Sequence, residues 1–414
     1  AGATSYPDLP VTANAFQANS TISGIPGGTY IVNYYGRLNC DGINADYLSY
    51  YGIGYSRQFG AATRKEVEIG RNGLYALVLH VKEPKAVAFN TPIGPALEYR
   101  FPTDTAWIVN RRYALCRFDT SGRLVYRSWL SGRLGTFGNT SVQDCLRIGA
   151  DDGVYIVADG QAALPYVQQG AFIDTMQSGR GVVPCLLKLT PECDSVLYCT
   201  YLPDSTLVHD VAGDANGFAS LVGVTQNTSF PVKNAWQPFL RDTVGHGDLF
   251  VLRLSPAGDT LVFSTFLGGS FLDSFSNDGH STETIIVTDD GNTFIAENTR
   301  SLDFPLFRPF QANYRWKGFF VDRTPDLVLA GFRPNGEIIF STYWGGDGIE
   351  VPITMDLTPC GDLLITGNTF SSDFPLVDSP SFAATPSSGV GADPRYFMLR
   401  SEEHTSELQS RQSI

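Results

Sequence analysis

Positive charge, histidine and methionine are all in short supply in this 414-residue chain, and each shortage excludes something. Lys and Arg number 29 against 42 Asp and Glu, a formal net charge of −13. Such an acidic balance argues against a nucleic-acid surface and against electrostatic docking on anionic lipid. Five His and three Met are lean for a metal or redox enzyme. No apolar run reaches the ~18 residues that a membrane-crossing helix needs. The seven cysteines, Cys40, Cys116, Cys145, Cys185, Cys193, Cys199 and Cys360, are odd in number and show no CxxC spacing, so they dictate no disulfide framework. Cys185 and Cys199 flank a predicted hairpin turn at 190–195 and are placed to face each other across it; the alternative is that the cysteines are scattered small core residues. HExxH, GxSxG, the P-loop and a GxGxxG following a strand are all missing, and with them the sequence marks of the chemistries those motifs carry.

What is present is glycine (42) and proline (24), beside 43% hydrophobic and only 17% charged residues. This is the composition of many short strands joined by tight turns, and it is too apolar for a disordered chain. The length fits two or three ordinary domains or one large repeat array. The chain begins Ala1-Gly2-Ala3 without Met, which fits either an export signal already removed or a sequence that starts late.

A repeat decides between these. "VFSTFLGGS" at 262–270 returns as "IFSTYWGGD" at 339–347, with shorter echoes "LYCTYLPDS" at 197–205 and "VYRSWLSGR" at 125–133. Aligned on this phrase, anchors fall at Tyr50, Trp129, Tyr201, Phe266 and Tyr343, 65 to 79 residues apart. The clearest unit has a strand "DLFVLRLS" (248–255), a turn "PAGD" and a second strand "TLVFSTFLGG" (260–269). A hairpin "TETIIVTDDGNTFIAENT" (282–299) follows, turning at Asp289-Asp290-Gly291-Asn292. The unit closes with "SLDFPLFRPFQ" (301–311). Four short strands per unit are the signature of a propeller blade. The expected fold is therefore all-β, a β-propeller built from four-stranded antiparallel blades, with five complete repeats plus partial units at both ends.

The strand, Leu-Ser-Pro-x-Gly turn, "STFLGG", Asp-Gly-Asn hairpin and "DFP…FQ" close together resemble the bacterial SBBP-type β-propeller repeat family. The likeness is best over 248–311, nearly as good over 326–382, and holds over 181–237 with Pro203-Asp204 in place of the paired glycines. It implies a secreted or surface protein of bacteria and carries no catalytic motif to transfer. Packing roles are expected for the repeated aromatics. Trp129, Tyr201, Phe266 and Tyr343 are expected in equivalent core positions, with Ser264, Thr265 and Phe266 at the crowded inner part of a blade. The glycines that follow are expected to let the chain turn, and Phe304-Pro305 and Phe374-Pro375 to plug the seams between blades.

Both ends are irregular. Residues 1–27 contain a closing phrase (4–17) without its strands, 28–400 hold the repeats, and "DPRYFMLR" (393–400) opens a sixth unit. The stretch 401–414 reads as translated sequencing adapter rather than native chain. An unfinished sheet exposes backbone donors and acceptors, so residues 1–27 are a candidate strand shared head-to-tail between subunits.

Catalytic, metal and cofactor sites are not expected. His209-Asp210 and His246-Gly247-Asp248 offer a base beside a carboxylate, but both sit where Asp commonly serves a turn. Asp151-Asp152 and Asp289-Asp290 occupy hairpin turns and lack the oxygen-rich spacing of a calcium loop. Asp followed by Ser or Thr and then an aliphatic residue, Met or Thr resembles a bacterial O-glycosylation signal, at Thr105, Thr175, Ser195, Ser205, Thr243 and Thr260. Asn19, Asn139 and Asn227 stand in Asn-glycosylation sequons. The leading function is a non-enzymatic, secreted structural or adhesive repeat protein, extracellular or at the cell surface, self-associating, with neither nucleic acid nor membrane insertion. Two alternatives stand beside it. One is a glycan- or protein-binding propeller using loop aromatics such as Trp236, Tyr314 or Trp316. The other is a polysaccharide-degrading enzyme on the same scaffold, which needs converging carboxylates or His.

Overall fold

The structure, a computed structural model, describes residues 2–4, 10–13, 15, 18, 30–38, 45–56, 67–80, 93–95, 97, 112–130, 145–161, 164–176, 182–242, 245–273, 284–315, 325–358, 360–375 and 395–400. Among them there is no helix, and every strand pairing is antiparallel. The first sheet joins β1 (Gly2–Thr4), β2 (Tyr30–Leu38) and β3 (Ala45–Ser56). The second is β4 (Val67–Gly70), β5 (Gly73–His80), β6 (Arg112–Phe118) and β7 (Leu124–Trp129). The third is β8 (Cys145–Ile148), β9 (Val154–Gln161), β10 (Val182–Leu189) and β11 (Val196–Tyr201). These three lie in one compact unit, residues 1–201.

A second compact unit, 202–414, holds the other three sheets. The fourth is β12 (Thr206–Gly213), β13 (Ala219–Thr225), β14 (Asp248–Leu254) and β15 (Leu261–Leu267). The fifth is β16 (Ile285–Val287), β17 (Thr293–Thr299), β18 (Asp326–Phe332) and β19 (Ile338–Trp344). The sixth is β20 (Glu350–Leu357), β21 (Leu363–Thr369) and β22 (Arg395–Arg400).

The chain is thus all-β and of the β-propeller class. Its five repeats supply β2 to β21, four strands each, with β1 and β22 as partial units at either side. The sheets are cut out of phase with the repeats, however. The hairpin that ends one repeat pairs with the two strands that open the next: β17 runs against β18 with Thr299 opposite Asp326 and Thr293 opposite Phe332. A repeat is two half-blades, not one blade. Between the hairpin and the strands that complete its sheet lies the closing phrase, which pairs with the last strand of that same sheet.

The closing phrases also correct the expected place of the Ser/Thr-aromatic strand. In the second unit β12 lies beside β16, and β16 beside β20, so the first strand of each sheet is the inner one. Strands β15 and β19 lie at the opposite edge, where a closing phrase covers them. Lys233 and Gln237 bridge to Ser264 and Phe266, and Phe307 and Gln311 bridge to Ser341 and Tyr343. Thr265 Oγ1 accepts from Gln237 N at 2.9 Å, and Thr342 Oγ1 accepts from Gln311 N at 3.0 Å. A short hydroxyl residue is needed here because it satisfies backbone donors that this outermost strand leaves over. The phrase belongs to the outer edge of the blade.

The central strands β13, β14 and β18 are buried at every position, which explains their unbroken apolar runs. Phe263 of β15 stacks on Phe332 of β18 at 5.9 Å, within a core that also holds Val251, Leu267, Phe304 and Tyr343. A register shift recurs at the end of the third strand in four sheets, at Arg117/Phe118, Lys188/Leu189, Arg253/Leu254 and Gly331/Phe332. Three of the four residues before the shift are cations. Lys188 Nζ reaches Asp151 at 2.7 Å, and Arg253 pairs with Asp214, both almost fully buried. In the fifth sheet the cation gives way to Gly331, whose missing Cβ would lie 2.7 Å from the Phe294 ring. Phe294 and Phe340 stack there instead, at 6.1 Å. One site is joined by charge and its counterpart by aromatic packing.

Candidate functional site

The concentration of ionisable side chains in the second unit lies at one end of its blades, just after the glycines of the repeated phrase. Asp248 opens β14 and Asp326 opens β18, the same register in consecutive sheets. Five residues after the first glycine of each pair stands another acid, Asp273 after Gly268 and Glu350 after Gly345. A Cβ on Gly268 would lie 2.6 Å from both Asp248 Cγ and Asp273 Oδ2, and one on Gly345 would lie 2.6 Å from Glu350 Oε2 and 3.1 Å from Asp326 Cγ. Neither glycine has a positive φ. Their missing side chains make room for a carboxyl pair.

All four acids are buried: 0% exposed in each case. Their partners differ. Asp248 Oδ2 accepts from Gln237 Nε2 at 2.8 Å and Arg241 N at 2.7 Å, and Oδ1 from Asp242 N at 2.9 Å. Asp273 accepts from Gly269 N at 2.7 Å and from the Thr299 hydroxyl. Glu350 accepts from Thr369 Oγ1 at 2.8 Å and from the Ser371 hydroxyl. Asp326 accepts from Arg315 N at 3.2 Å on one oxygen, while its Oδ1 is buried without a hydrogen-bond partner.

Burial disfavours the charged form of each. It pushes Asp248 up to about 6 and Glu350 to about 7. Asp273 and Asp326 rise further, to about 8, chiefly by burial and then through the neighbouring acid, Asp248 for the first and Glu350 for the second. Chemically these are proton-holding pairs. The fourth sheet carries a neutral version, in which Thr206 Oγ1 lies 3.1 Å from Thr225 Oγ1, the threonine equivalent to Thr299 and Thr369.

A second constellation uses one of the sequence-flagged histidines. His209 sits at the β12 register shift, and its Nδ1 lies 2.9 Å from Glu297 Oε1 on β17, with both side chains buried. The adjacent Asp210 accepts from Val211 N at 2.8 Å and from Thr284 N at 3.0 Å. His209 and Asp210 thus join the fourth sheet to the fifth. His246 is exposed, with its ring edge on Phe271 at 5.8 Å, while Asp248 belongs to the buried pairs.

The other sequence candidates fall as follows. Tyr201, Phe266 and Tyr343 are each 1% exposed, Phe304 is 3% and Phe374 8% exposed. Phe374 stacks on Phe397 at 4.9 Å. The Tyr343 hydroxyl donates to Ser301 O at 2.7 Å and accepts from Phe304 N at 3.0 Å, and Tyr201 accepts from Leu164 N in the same way. The Trp129 side chain, Thr105, Thr243, Asn19, Asn139, Trp316 and Cys40 lie outside the described residues. Thr175, Ser195 and Thr260 are exposed in turns, and Ser205 is half-buried with φ of 53°. The Asn227 amide donates to Asp204. Asp151 is taken by Lys188, Asp290 accepts from Thr288 and Asn292, and no group of three metal-ligating side chains occurs among the described residues.

Cys185 stands opposite Tyr201 and Cys199 opposite Leu187, so the two are diagonal rather than directly across the hairpin. Both are free thiols, as are Cys116, Cys145, Cys193 and Cys360. Contact with Cys199 and burial hold the Cys185 thiol well above its usual range.

Of the buried acids, sequence reasoning flagged only Asp248, as the carboxylate beside His246, and not the pairs. The available signal was the recurrence of an acid five residues after the first phrase glycine in two repeats, and of Asp opening "DLF" and "DLV".

No known family's sequence profile matches the chain, and no curated protein matches it. Among solved structures it is similar to a Bacteroides caccae protein of unknown function, at 10% identity over 77% of this chain and 70% of that one, TM-score 0.32. A Dyadobacter fermentans protein of unknown function matches at 12% identity over 75% of this chain and 78% of that one, TM-score 0.39. An ulvan lyase, a polysaccharide lyase bound to a saccharide of glucuronic acid and sulfated rhamnose, matches at 11% identity over 83% and 69%, TM-score 0.36. These likenesses carry nothing about activity.

Proposed function

We propose that this chain is a non-catalytic structural or adhesive repeat protein of the SBBP type, displayed outside the bacterial cell and able to associate head-to-tail. The observation that carries the reading is the commitment of its reactive side chains to joining strands. His209 holds Glu297 across two sheets, Asp210 holds the backbone of Thr284, and Asp248 closes three donors of its own blade. Groups used this way stabilise a scaffold.

The acidic surface suits an extracellular setting and keeps subunits soluble before they assemble. The three-residue strand β1 pairs with β2 through Gly2–Tyr34 and Thr4–Val32. So short a pairing exchanges between chains at little cost, and exchange of an identical element is a general route to association.

The test is the mass and form of the purified full-length protein, with and without residues 1–27. Concentration-dependent oligomers or ordered polymers, lost when 1–27 are removed, are expected from light scattering and negative-stain microscopy. Folded monomers in both cases, or turnover of a polysaccharide, would overturn the reading.

A further inference from the structure

The second unit carries an open cleft of about 440 Å³, within the range of small-ligand sites. It lies on the outer side of the fourth and fifth sheets. Asn234, Ala235 and Trp236 come from one closing phrase, Phe307 from the next, and Asn335 and Glu337 from the β18–β19 turn, with Gly336 and Ile338 also in the lining. Its backbone is shaped at two corners. Asn234 has φ of 48° and Gly336 of 91°, and a Cβ on Gly336 would meet Phe263 Cβ at 2.7 Å and Asn234 O at 2.9 Å.

The two rings are half-exposed and rest on the core that contains Phe263, Phe332 and Ile338. They are held in place while keeping surface open to solvent. The polar side chains are oriented as well. Asn234 donates through Nδ2 to Val262 O at 3.2 Å, which leaves its amide oxygen for an incoming donor. Asn335 accepts Glu337 N at 3.1 Å through Oδ1, which leaves its amide NH2 to donate. The Glu337 side chain is 64% exposed, with Arg333 Nε at 3.5 Å.

Fixed aromatic surface beside an acceptor, a donor and a carboxylate is the chemistry that suits a sugar ring. One face of a pyranose is a patch of C–H groups, which packs on an aromatic plane, and its rim is hydroxyls that both donate and accept. An apolar ligand would leave the Asn and Glu groups unpaired, a costly outcome. The charge in the lining is that of Glu337, balanced at its border by Arg333 and by Arg308, whose guanidinium lies 5.3 Å over the Phe307 ring, so the charged comparison belongs in the test. We propose that this cleft binds a neutral saccharide, with Trp236 and Phe307 as the stacking surface and Asn234, Asn335 and Glu337 as hydroxyl partners. The site is open, so a longer glycan can run through it.

The probes are neutral hexasaccharides of glucose, mannose, xylose and galactose, with oligogalacturonate as the charged comparison. Calorimetry and tryptophan fluorescence read binding to the full chain. At least one neutral probe is expected to bind, and Trp236→Ala to weaken it by tenfold or more, roughly the loss for a central aromatic contact. Asn335→Ala, in an exposed turn, is expected to weaken it several-fold, and Tyr396→Ala, an exposed aromatic on β22, to leave it unchanged. Circular dichroism melts check that each variant folds, and Asn335→Ala keeps the test intact if Trp236→Ala does not. The proposal fails if no neutral probe binds at about 10 mM, near the weakest affinity that such a site would show. It also fails if oligogalacturonate binds more tightly than every neutral probe, or if binding survives both cleft variants. Polymer formation is a separate measurement, so the site stands or falls independently of the assembly.

Discussion

The carboxyl pair beside Gly268 and the pair beside Gly345 occupy the same place in successive sheets and are treated differently by their surroundings. Among the described residues Asp248 has three donors within 2.9 Å and Asp326 has one at 3.2 Å. Both are fully buried, yet burial lifts Asp248 only to about 6 and Asp326 to about 8. Donors aimed at a carboxylate favour its charged form, while the Glu350 charge beside Asp326 disfavours it, so the better-bonded acid ionises near neutral pH and the poorly bonded, crowded one keeps its proton. Identical position in a repeat therefore fixes packing but leaves protonation to a few local donors and to the neighbouring acid.

The strongest way to break the comparison is to remove the anchor beneath it. Phe266→Ala is expected to cost on the order of 3–5 kcal/mol, because the side chain is 1% exposed and packs on Phe230 at 5.6 Å. A loss under about 1 kcal/mol in urea denaturation would show that it is no core residue. In the fifth sheet Tyr343→Phe isolates the polar part of the same anchor. It leaves Ser301 O and Phe304 N without the hydroxyl that joins them, a loss of about 1–3 kcal/mol.

Sharper still is the matched pair of amides. At pH 7 Asp248→Asn removes an acceptor oxygen from a site built with three donors and is expected to cost about 1–3 kcal/mol. Asp326→Asn keeps a neutral group where the proton already sits and removes the proton uptake that folding demands of an acid near 8, so at pH 7 it is expected to raise stability rather than lower it. Equal losses at both positions would refute the difference drawn here.

The gentlest test is pH. The folded values of Asp273 and Asp326, about 8, lie above the ordinary aspartate value near 4. The folded state then holds protons that the unfolded chain has released. Stability from these groups is complete below about pH 4 and is lost as pH rises through about 8. Asp248 and Glu350 act in the same direction, with their losses complete near 6 and 7. Unfolding midpoints should fall from about pH 5 to pH 8.5, and the fall should be shallower in Asp326→Asn. Arg315 opposes the shift of Asp326 while Glu350 and Asp373 reinforce it. A midpoint rising over that interval would contradict the assignment.

The repeat itself was legible in the sequence because the Ser/Thr-aromatic phrase returns in every unit and a glycine-bearing hairpin turn follows it, Asp-Asp-Gly-Asn at 289–292 in the clearest one. Strand number followed from that grammar. The partition into sheets did not, since nothing in "FIAENT" or "DLVLAGF" says that one pairs with the other across 26 intervening residues. For the same reason the phrase was placed at the inner part of a blade when it lies at the outer edge. The buried acids were hidden by convention: an Asp next to glycines reads as turn chemistry, and only the approach of Asp248 and Asp273 around Gly268 reveals another use. The cations at 117, 188 and 253 were equally silent, because one charged residue in an apolar strand looks like a surface position until its register is known.

The half-step between repeat and sheet also sets the order in which this protein can be made. As the chain leaves the ribosome, β16 and β17 emerge well before β18 and β19, and a lone two-stranded hairpin is marginal in water. Each sheet therefore waits, half built, for the next repeat to be translated, at roughly 5–20 residues per second. A nascent chain halted at a repeat boundary ends on an open hairpin, whereas one halted after the Ser/Thr-aromatic strand ends on a finished sheet. Viable break points for splitting or permuting the gene should accordingly fall after the glycines at 268–269 and 345–346, in the middle of the sequence repeat rather than at its edges.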